Sequence, residues 1–451
     1  MDIIHFRQLK KAVYIIFIIA FASRLLYAII SYHNQVYLKF ADDNGYFNYA
    51  LDIIEQGPWV PDVENLRDNR SNYLAPGLPL ILSLPIIIFG KTWLPIFIIN
   101  ALLSALLSVL IFIISNLLFD KRIALISASW SIIYISYIRY VPTGGKELWI
   151  TLLLLITVLF LIKLLSYYNI KYLLVIILAF SLLIHIDERY FAYFPLFCVL
   201  FFLINNQSIR KKILISSIYV IGVFLIMIPW TIRNYKVYHK PVILTQRTSH
   251  ITDKFFGLEE DFYFETMFLE NNSLTEAQID SVIKGQKTTF ANGKKIPEKQ
   301  INAMRNGNLP HHFSQSEALK SRFLLLWSPC RFGGFWAMEG FSFVEYSLRH
   351  NLAMCLVYGT LLPFLLIGFL FLFKKNWKFG ILLLSILIWH TLIHIIFIPY
   401  TNERYQVPVS PYIIIIGTAG IFLCFNYLYK RTYLLLRKNN TLEKNHLNNL
   451  A

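Results

Sequence analysis

The stretch "KFADDNGYFNYA" at 39–50 sets two adjacent carboxylates, Asp42 and Asp43, between a long apolar run and an aromatic one. Three other short segments carry charge among aromatics: "PTGGKELW" holds Lys146 and Glu147, "PWTIRNY" holds Arg233, and "PYTNERYQVPVSP" holds Arg404 and Tyr405. A carboxylate can take the proton of an attacking hydroxyl, and guanidinium or ammonium groups can hold a departing phosphate. Together these residue types suit group transfer with an anionic leaving group. Each also has a blander reading. Phe47, Ala50, Leu51 and Ile54 recur at helical spacing after Asp42, so either aspartate could simply cap a short amphipathic helix lying on a membrane surface. A single Arg or Lys beside Trp can equally well snorkel to lipid headgroups. The chemical reading therefore depends on whether the surrounding elements bring these segments to one face.

Of the 451 residues, 56% are hydrophobic and 16% aromatic, and the apolar runs have the length of a bilayer core. The pattern predicts an all-α polytopic membrane protein. Ten spans are expected, at 12–32, 93–118, 124–141, 147–165, 172–186, 190–205, 213–230, 352–373, 379–399 and 409–427. With the N-terminus inside, the inner segments hold eighteen Lys and Arg against Asp2, Asp120 and Glu443, which accounts for +15 of the +16 net charge. The basic balance is thus a topology signal, and a nucleic-acid partner is not needed to explain it. The run "APGLPLILSLPIIIFG" at 75–90 contains three prolines and is short for a span, so it reads as an interfacial or re-entrant piece. Counting it as a crossing would bring the total to eleven. The first apolar run continues to Ile30, which favours an uncleaved anchor over a signal peptide. Cys198, Cys355 and Cys424 fall within spans and Cys330 in a loop, so no disulfide framework or cysteine zinc site is expected.

Two outer loops are long, 33–92 and 231–351, while the inner ones are short. The chain divides accordingly into a transmembrane catalytic module, 1–230, that includes the first outer loop; a large outer loop, 231–351; and C-terminal helices with a basic cytoplasmic tail, 352–451. Function is expected at the outer face, where rigid helices present long loops. "HIDERY" at 185–190 forms an outer turn whose Asp187 and Arg189 either line a cavity or are merely solvated. Arg24 lies near the middle of the first span, where a charge is costly; a structural ion pair is the expected explanation. His390 and His394 share a helical face without a third ligand nearby, which favours a packed or cavity-lining pair over a metal site.

An enzyme at an outer face has no access to cytosolic nucleotide sugars, and no Gly-rich strand-turn-helix unit is present to bind one. The natural activated donor there is a sugar on a membrane lipid phosphate. Phosphate leaves without protonation, so one carboxylate suffices as base, and a single displacement inverts the anomeric centre. A rival reading is a lipid or solute transporter, which predicts paired repeats and mid-membrane ionisable groups. A nearer rival is a polymerase or ligase using lipid pyrophosphate-linked oligosaccharide.

"DDNGYFNYA", "APGLPL", "PWTIRNY" before a large loop and "NERYQVPVSP" near the end occur in an order that resembles the GT-C membrane glycosyltransferases related to protein O-mannosyltransferases and the lipid A aminoarabinose transferase. The resemblance implies a GT-C fold with about ten to eleven transmembrane helices, juxtamembrane helices in the first outer loop, and a large outer loop after the seventh span. It implies a polyprenyl-phosphate-sugar donor and an acceptor glycan, lipid or protein. Asp42, four residues before Tyr46, takes the place of the catalytic aspartate, with Asp43 as its neighbour. Arg404 and Tyr405 match the family's donor-phosphate contact, and Arg233, with Lys146, is a further candidate. Tyr46, Glu147, Arg24, Asp187 and Arg189 are possible cavity residues. Ala75 stands where relatives place Lys or Arg, and Leu78 where they place Tyr; Arg67 or Arg70 could compensate. No metal is expected, although Asp42, Asp43 and a second-loop carboxylate form the set that could hold Mg²⁺ or Mn²⁺. The implied location is a bacterial inner membrane, with the site on the extracytoplasmic side.

Overall fold

The computed structural model describes residues 3–34, 41–57, 74–239, 242–245, 284, 315–327, 348–397 and 403–448. Most of the 231–351 loop, including Cys330, and the 58–73 stretch with Arg67 and Arg70 lie outside the described residues. Among the described residues every regular element is helical. In chain order the α-helices are α1 (Ile3–His33), α2 (Ala41–Gln56), α3 (Gly77–Phe89), α4 (Leu94–Leu118), α5 (Lys121–Ile133), α6 (Ile135–Arg139), α7 (Glu147–Ser166), α8 (Ile170–Ile186), α9 (Phe194–Leu200) and α10 (Ile209–Tyr238). The rest are α11 (Gln315–Trp327), α12 (Leu348–Val357), α13 (Leu365–Lys375), α14 (Trp377–Leu392) and α15 (Ser410–Asn448).

Among the described residues, seven helical stretches are long and apolar enough to cross a membrane. The other three expected spans are helical but fall short of that length. One is broken at Tyr134 between α5 and α6, one is α8, and one is the mixed segment in which short 3₁₀ turns, Glu188–Tyr193 and Phe201–Leu203, flank α9. The proline-rich run forms α3, 13 residues long, with Leu78, Leu82 and Ile86 buried and Leu84, Ile87, Ile88 and Phe89 exposed. It is shorter than the spanning helices and buries one side.

The turns at the lysine-rich end of the bundle are short, and polar residues start the helices that follow them. Asp120 accepts from the backbone N–H groups of Arg122 and Ile123, Asn169 from Lys171, Ser208 from Lys211 and Asn376 from Lys378. Each such cap is worth about 1 kcal/mol. Lysines close the preceding ends: Lys375 Nζ donates to the Phe119 carbonyl at 2.6 Å, Lys378 to Leu203 at 2.8 Å and Lys212 to Phe202 at 2.8 Å. The positive charge expected on this face is thereby tied to carbonyls that have no partner inside their own helices.

The outer half of α15 is the axis of the bundle, with Tyr412 to Ile416 all fully buried. In a bilayer, burial alone does not hold helices together, so close approach at small residues must do it. A Cβ on Gly420 would lie 2.1 Å from the Phe364 carbonyl oxygen, and one on Gly368 the same distance from that of Ile416. Gly420→Ala is therefore expected to cost about 1–3 kcal/mol by forcing α15 away from the Gly359–Phe364 turn. A lower thermal midpoint in detergent is the readout, and an unchanged midpoint would contradict this packing.

Candidate active site

α2 begins at Ala41, so Asp42 and Asp43 occupy its first turn as expected; their side chains are not among those described. Gly57, at φ +85°, ends the helix, and its N–H bonds to the Ile53 carbonyl at 2.9 Å. The buried stripe matches the expected one in part: Ala50 and Leu51 are buried and Phe47 packs on the core, but Ile54 is 37% exposed, and Tyr46, Tyr49 and Ile53 join the buried face. Tyrosine supplies the apolar contact here because its hydroxyl can find a polar partner at the buried end. Tyr46 lies one turn after Asp42, and Tyr49 one turn further.

Over Tyr46 sits Lys146, its Nζ 5.8 Å from the ring centroid. Lys146 comes from the turn between α6 and α7, held in place by α4: Asn100 Nδ2 donates to the carbonyls of Val141 at 3.2 Å and Thr143 at 2.7 Å. The same ammonium is 3.2 Å from Asp187 Oδ2, and Arg189 engages both Asp187 oxygens through Nε and Nη2. Asp187 is fully buried. The reading of "HIDERY" as a solvated turn is therefore wrong for Asp187. Burial by itself would raise its pKa, but Arg189 and then Lys146 more than offset this and hold it well below the usual carboxylate range. Burial likewise opposes the Lys146 charge, and Asp187 more than restores it, so the ammonium is held above its ordinary value.

The guanidinium of Arg189 lies 4.3 Å from the Tyr405 ring centroid, and that of Arg404 lies 5.1 Å from it. Arg404 Nη2 also donates to the Tyr405 hydroxyl at 3.1 Å. Tyr405 thus has two guanidinium groups against its ring. His390 fixes it from behind, one ring nitrogen 2.6 Å from the Tyr405 carbonyl oxygen and the other 2.6 Å from the Tyr193 hydroxyl. His394 packs on the Tyr405 ring at 5.1 Å, in the π-turn Ile393–Phe397 that follows α14. The two histidines are a packed pair that supports the site.

Two expected residues, Arg233 and Arg24, are placed away from the Lys146–Asp187–Arg189 cluster, and Glu147 borders it, directly after Lys146. Arg233 is buried near the end of α10, its guanidinium 4.8 Å from the Trp230 ring and 5.7 Å from that of Tyr238, and it donates to Asn234 Oδ1 at 2.9 Å. It faces Tyr49: burial raises the Tyr49 pKa, and the Arg233 charge partly counters that. Arg233 therefore lies against α2 at Tyr49, a turn beyond the Tyr46 contact of Lys146. Arg24 has no carboxylate among its described hydrogen-bond partners, which are serine hydroxyls and carbonyl oxygens of Ala20 and Ser131; the ion-pair expectation is corrected. Glu147 is buried at the start of α7, where a carboxylate suits the helix N-terminus.

Sequence reasoning missed several residues. Asp52, 1% exposed, lies on α2 close enough to Tyr49 to oppose its ionisation. Asn234 donates to the carbonyls of Val242 and Leu244, Trp230 to Leu244 and Thr231 to Ile243, so "PWTIRNY" pins the root of the large outer loop. Cys355, expected within a span, is disulfide-bonded, while Cys198 and Cys424 are free.

This all-helical arrangement, with a carboxylate-bearing helix and paired cations at one end of the bundle, is the GT-C fold of membrane glycosyltransferases. Residues 74–232 match the dolichyl-phosphate-mannose-protein mannosyltransferase family. The solved apo structure of the Archaeoglobus fulgidus oligosaccharyltransferase superposes with a TM-score of 0.55 at 15% identity, over 94% of this chain and 51% of that one. The archaeal oligosaccharyltransferase AglB of the same organism, in complex with an inhibitory peptide and a dolichol-phosphate, gives 0.53 at 15% identity over 94% and 51%. The chain thus spans about half the length of these oligosaccharyltransferases, and at this identity the likeness is one of fold. No curated protein sequence matches the chain.

Proposed function

We propose that this protein is an inverting glycosyltransferase that moves a hexose or pentose from a prenyl-phosphate donor to an acceptor hydroxyl on the non-cytoplasmic side of a bacterial inner membrane. The observation that carries the proposal is the stack of Lys146, Arg189, Tyr405 and Arg404, with the Lys146 ammonium set over Tyr46, one helical turn past Asp42. In this reading Asp42 takes the acceptor proton, the acceptor oxygen bonds to the anomeric carbon, and the bond from that carbon to the phosphate oxygen breaks. Arg404, Lys146 and Arg189 stabilise the charge that collects on the phosphate. Asp43 tunes the charge beside the base, and Arg233 adds a positive charge against the same helix at Tyr49.

Two observations support the side. The lysine-tied ends lie at the opposite pole of the bundle. The disulfide of Cys355 suits an oxidising compartment. The matched mannosyltransferase family favours a lipid monophosphate donor. Fold likeness to oligosaccharyltransferases favours a second reading, transfer of a lipid pyrophosphate-linked oligosaccharide. No divalent ion is required in the first reading, because three cationic side chains already serve the leaving group.

The test is mass spectrometry of lipids that remain bound to the full-length protein purified in EDTA. A prenyl monophosphate or its monosaccharide conjugate is expected. A pyrophosphate-linked oligosaccharide would replace the donor assignment with the second reading, and a preparation that gains transfer activity only on adding a divalent ion would overturn the metal-free one.

A further inference from the structure

Arg24 is fully buried, yet its described hydrogen-bond partners are all neutral. Nε donates to Ser104 Oγ at 2.5 Å, Nη1 to the Ala20 carbonyl at 3.1 Å, and Nη2 to the Ser131 carbonyl at 2.9 Å and Ser108 Oγ at 3.5 Å. The Ser131 carbonyl is the one that Ile135 N–H would reach in an unbroken helix. Instead Tyr134 turns extended, at φ −68° and ψ 114°, ending α5 and restarting the chain as α6; its own N–H reaches the Ser131 carbonyl only at 3.4 Å, longer than the 2.9 Å bond from Arg24. Residues 131–137 contain no Pro or Gly, so this interruption needs a side chain to explain it. On the far side of the break, Ser104 Oγ donates to the Tyr137 carbonyl at 2.8 Å, and Val141 N–H turns back to Ile138.

A helix end in a membrane carries partial negative charge and unpaired carbonyls, both of which must be answered within the protein. We propose that Arg24 is a positioning residue: the resident cation of a discontinuous helix, which fixes the break at Tyr134 so that α6 delivers the 141–146 turn, and with it Lys146, to the active site. Asn100, Ser104 and Ser108 lie one helical turn apart on α4. Asn100 holds the turn, Ser104 holds α6, and Ser104 and Ser108 both hold Arg24. One face of α4 thus links a charge on α1 to the geometry of a residue on a different element. The delivery of Lys146 is independent of the donor assignment; its effect on ligand binding rests on the function proposed above.

The experiment compares Arg24→Met and Arg24→Lys with the native full-length protein in lipid nanodiscs. Hydrogen exchange is followed in peptides from 134–146, from α4 and from α7. Arg24→Met is expected to speed exchange in 134–146 about tenfold and leave α4 and α7 unchanged, with Arg24→Lys in between, because an ammonium can cap the Ser131 carbonyl without spanning both serines. No change in 134–146, or an equal rise in all three regions, overturns the proposal. In a second arm, farnesyl phosphate is titrated. Arg24→Met is expected to weaken binding about tenfold in the native background and less than twofold in Lys146→Met, whereas additive losses contradict action through Lys146. If the native protein does not bind farnesyl phosphate, the donor reading falls, and the exchange result still decides the role of Arg24.

Discussion

Asp42→Asn is expected to yield a folded protein that no longer transfers sugar. Removing a positioned general base typically costs about 10²- to 10⁴-fold in rate. The fold should tolerate the change because α2 is held by Tyr46, Tyr49, Ala50 and Ile53, none of which is altered. In the first turn Asn forfeits only the charge–dipole contribution of Asp, about 0.3–1 kcal/mol, so helix initiation is largely preserved. Asp43→Asn is the matched control: it removes the same charge from the same helical turn. Equal losses in the two variants would mean that the turn's net charge, and no single carboxylate, sets the rate. Normal transfer by Asp42→Asn would end the assignment. The measurement is initial rate at saturating donor, with elution profile and thermal midpoint recorded in parallel.

The second large effect is expected at Asp187. Its carboxylate neutralises two buried cations, so Asp187→Asn leaves Lys146 and Arg189 facing each other without it. Losing one member of a buried charge cluster generally costs about 3–5 kcal/mol, a cost that a thermal midpoint in detergent would register clearly. Activity should fall with it, since both cations would shift from their places over Tyr46 and Tyr405. A triple variant, Lys146→Met with Asp187→Leu and Arg189→Met, separates the two consequences. Stability should return part of the way toward native, because the buried carboxylate leaves together with the two cations it pairs, whereas transfer should not. Recovered transfer would show that the cluster is only a fastener. The sign of the acid response follows from the depressed Asp187 pKa. Its stabilising contribution is complete above the ordinary carboxylate range and is lost as pH falls below it, so this cluster imposes no change near neutrality.

Much of the scaffold could be read in advance because bilayer physics leaves few choices. Apolar runs of spanning length had to be helical, the lysines and arginines had to mark one face, and Gly57 had to stop α2. The site was legible only in part. Lys146, Arg404 and Tyr405 were visible as charged or aromatic residues in Pro-bounded outer turns, and they do converge. Asp187 was ambiguous because consecutive polar residues in a turn look solvated. Only the approach of Lys146, from a different pair of helices, makes it a buried anion. Asp52 was hidden because the apolar spacing of α2 marked Ala50 and Leu51 correctly but ran on to Ile54, and a charged residue between buried positions carries no sign of its burial. The interruption at Tyr134 carries no local sign, since its cause is a guanidinium more than a hundred residues earlier in the chain. The clamp on the loop root depends on hydrogen bonds from side chains to backbone, which residue type alone does not announce.

The lysines that fasten the inner helix ends have a consequence for engineering. Lys212, Lys375 and Lys378 belong to the charge excess that orients the chain on insertion, and each is also a bolt for a neighbouring segment after folding. Charge-reversal variants built to map orientation would therefore loosen the assembled bundle as well. A misplaced reporter signal from such a variant would have two origins, and swapping Lys for Arg, which keeps both the charge and a donor, is the substitution that spares the bolt while preserving the compass.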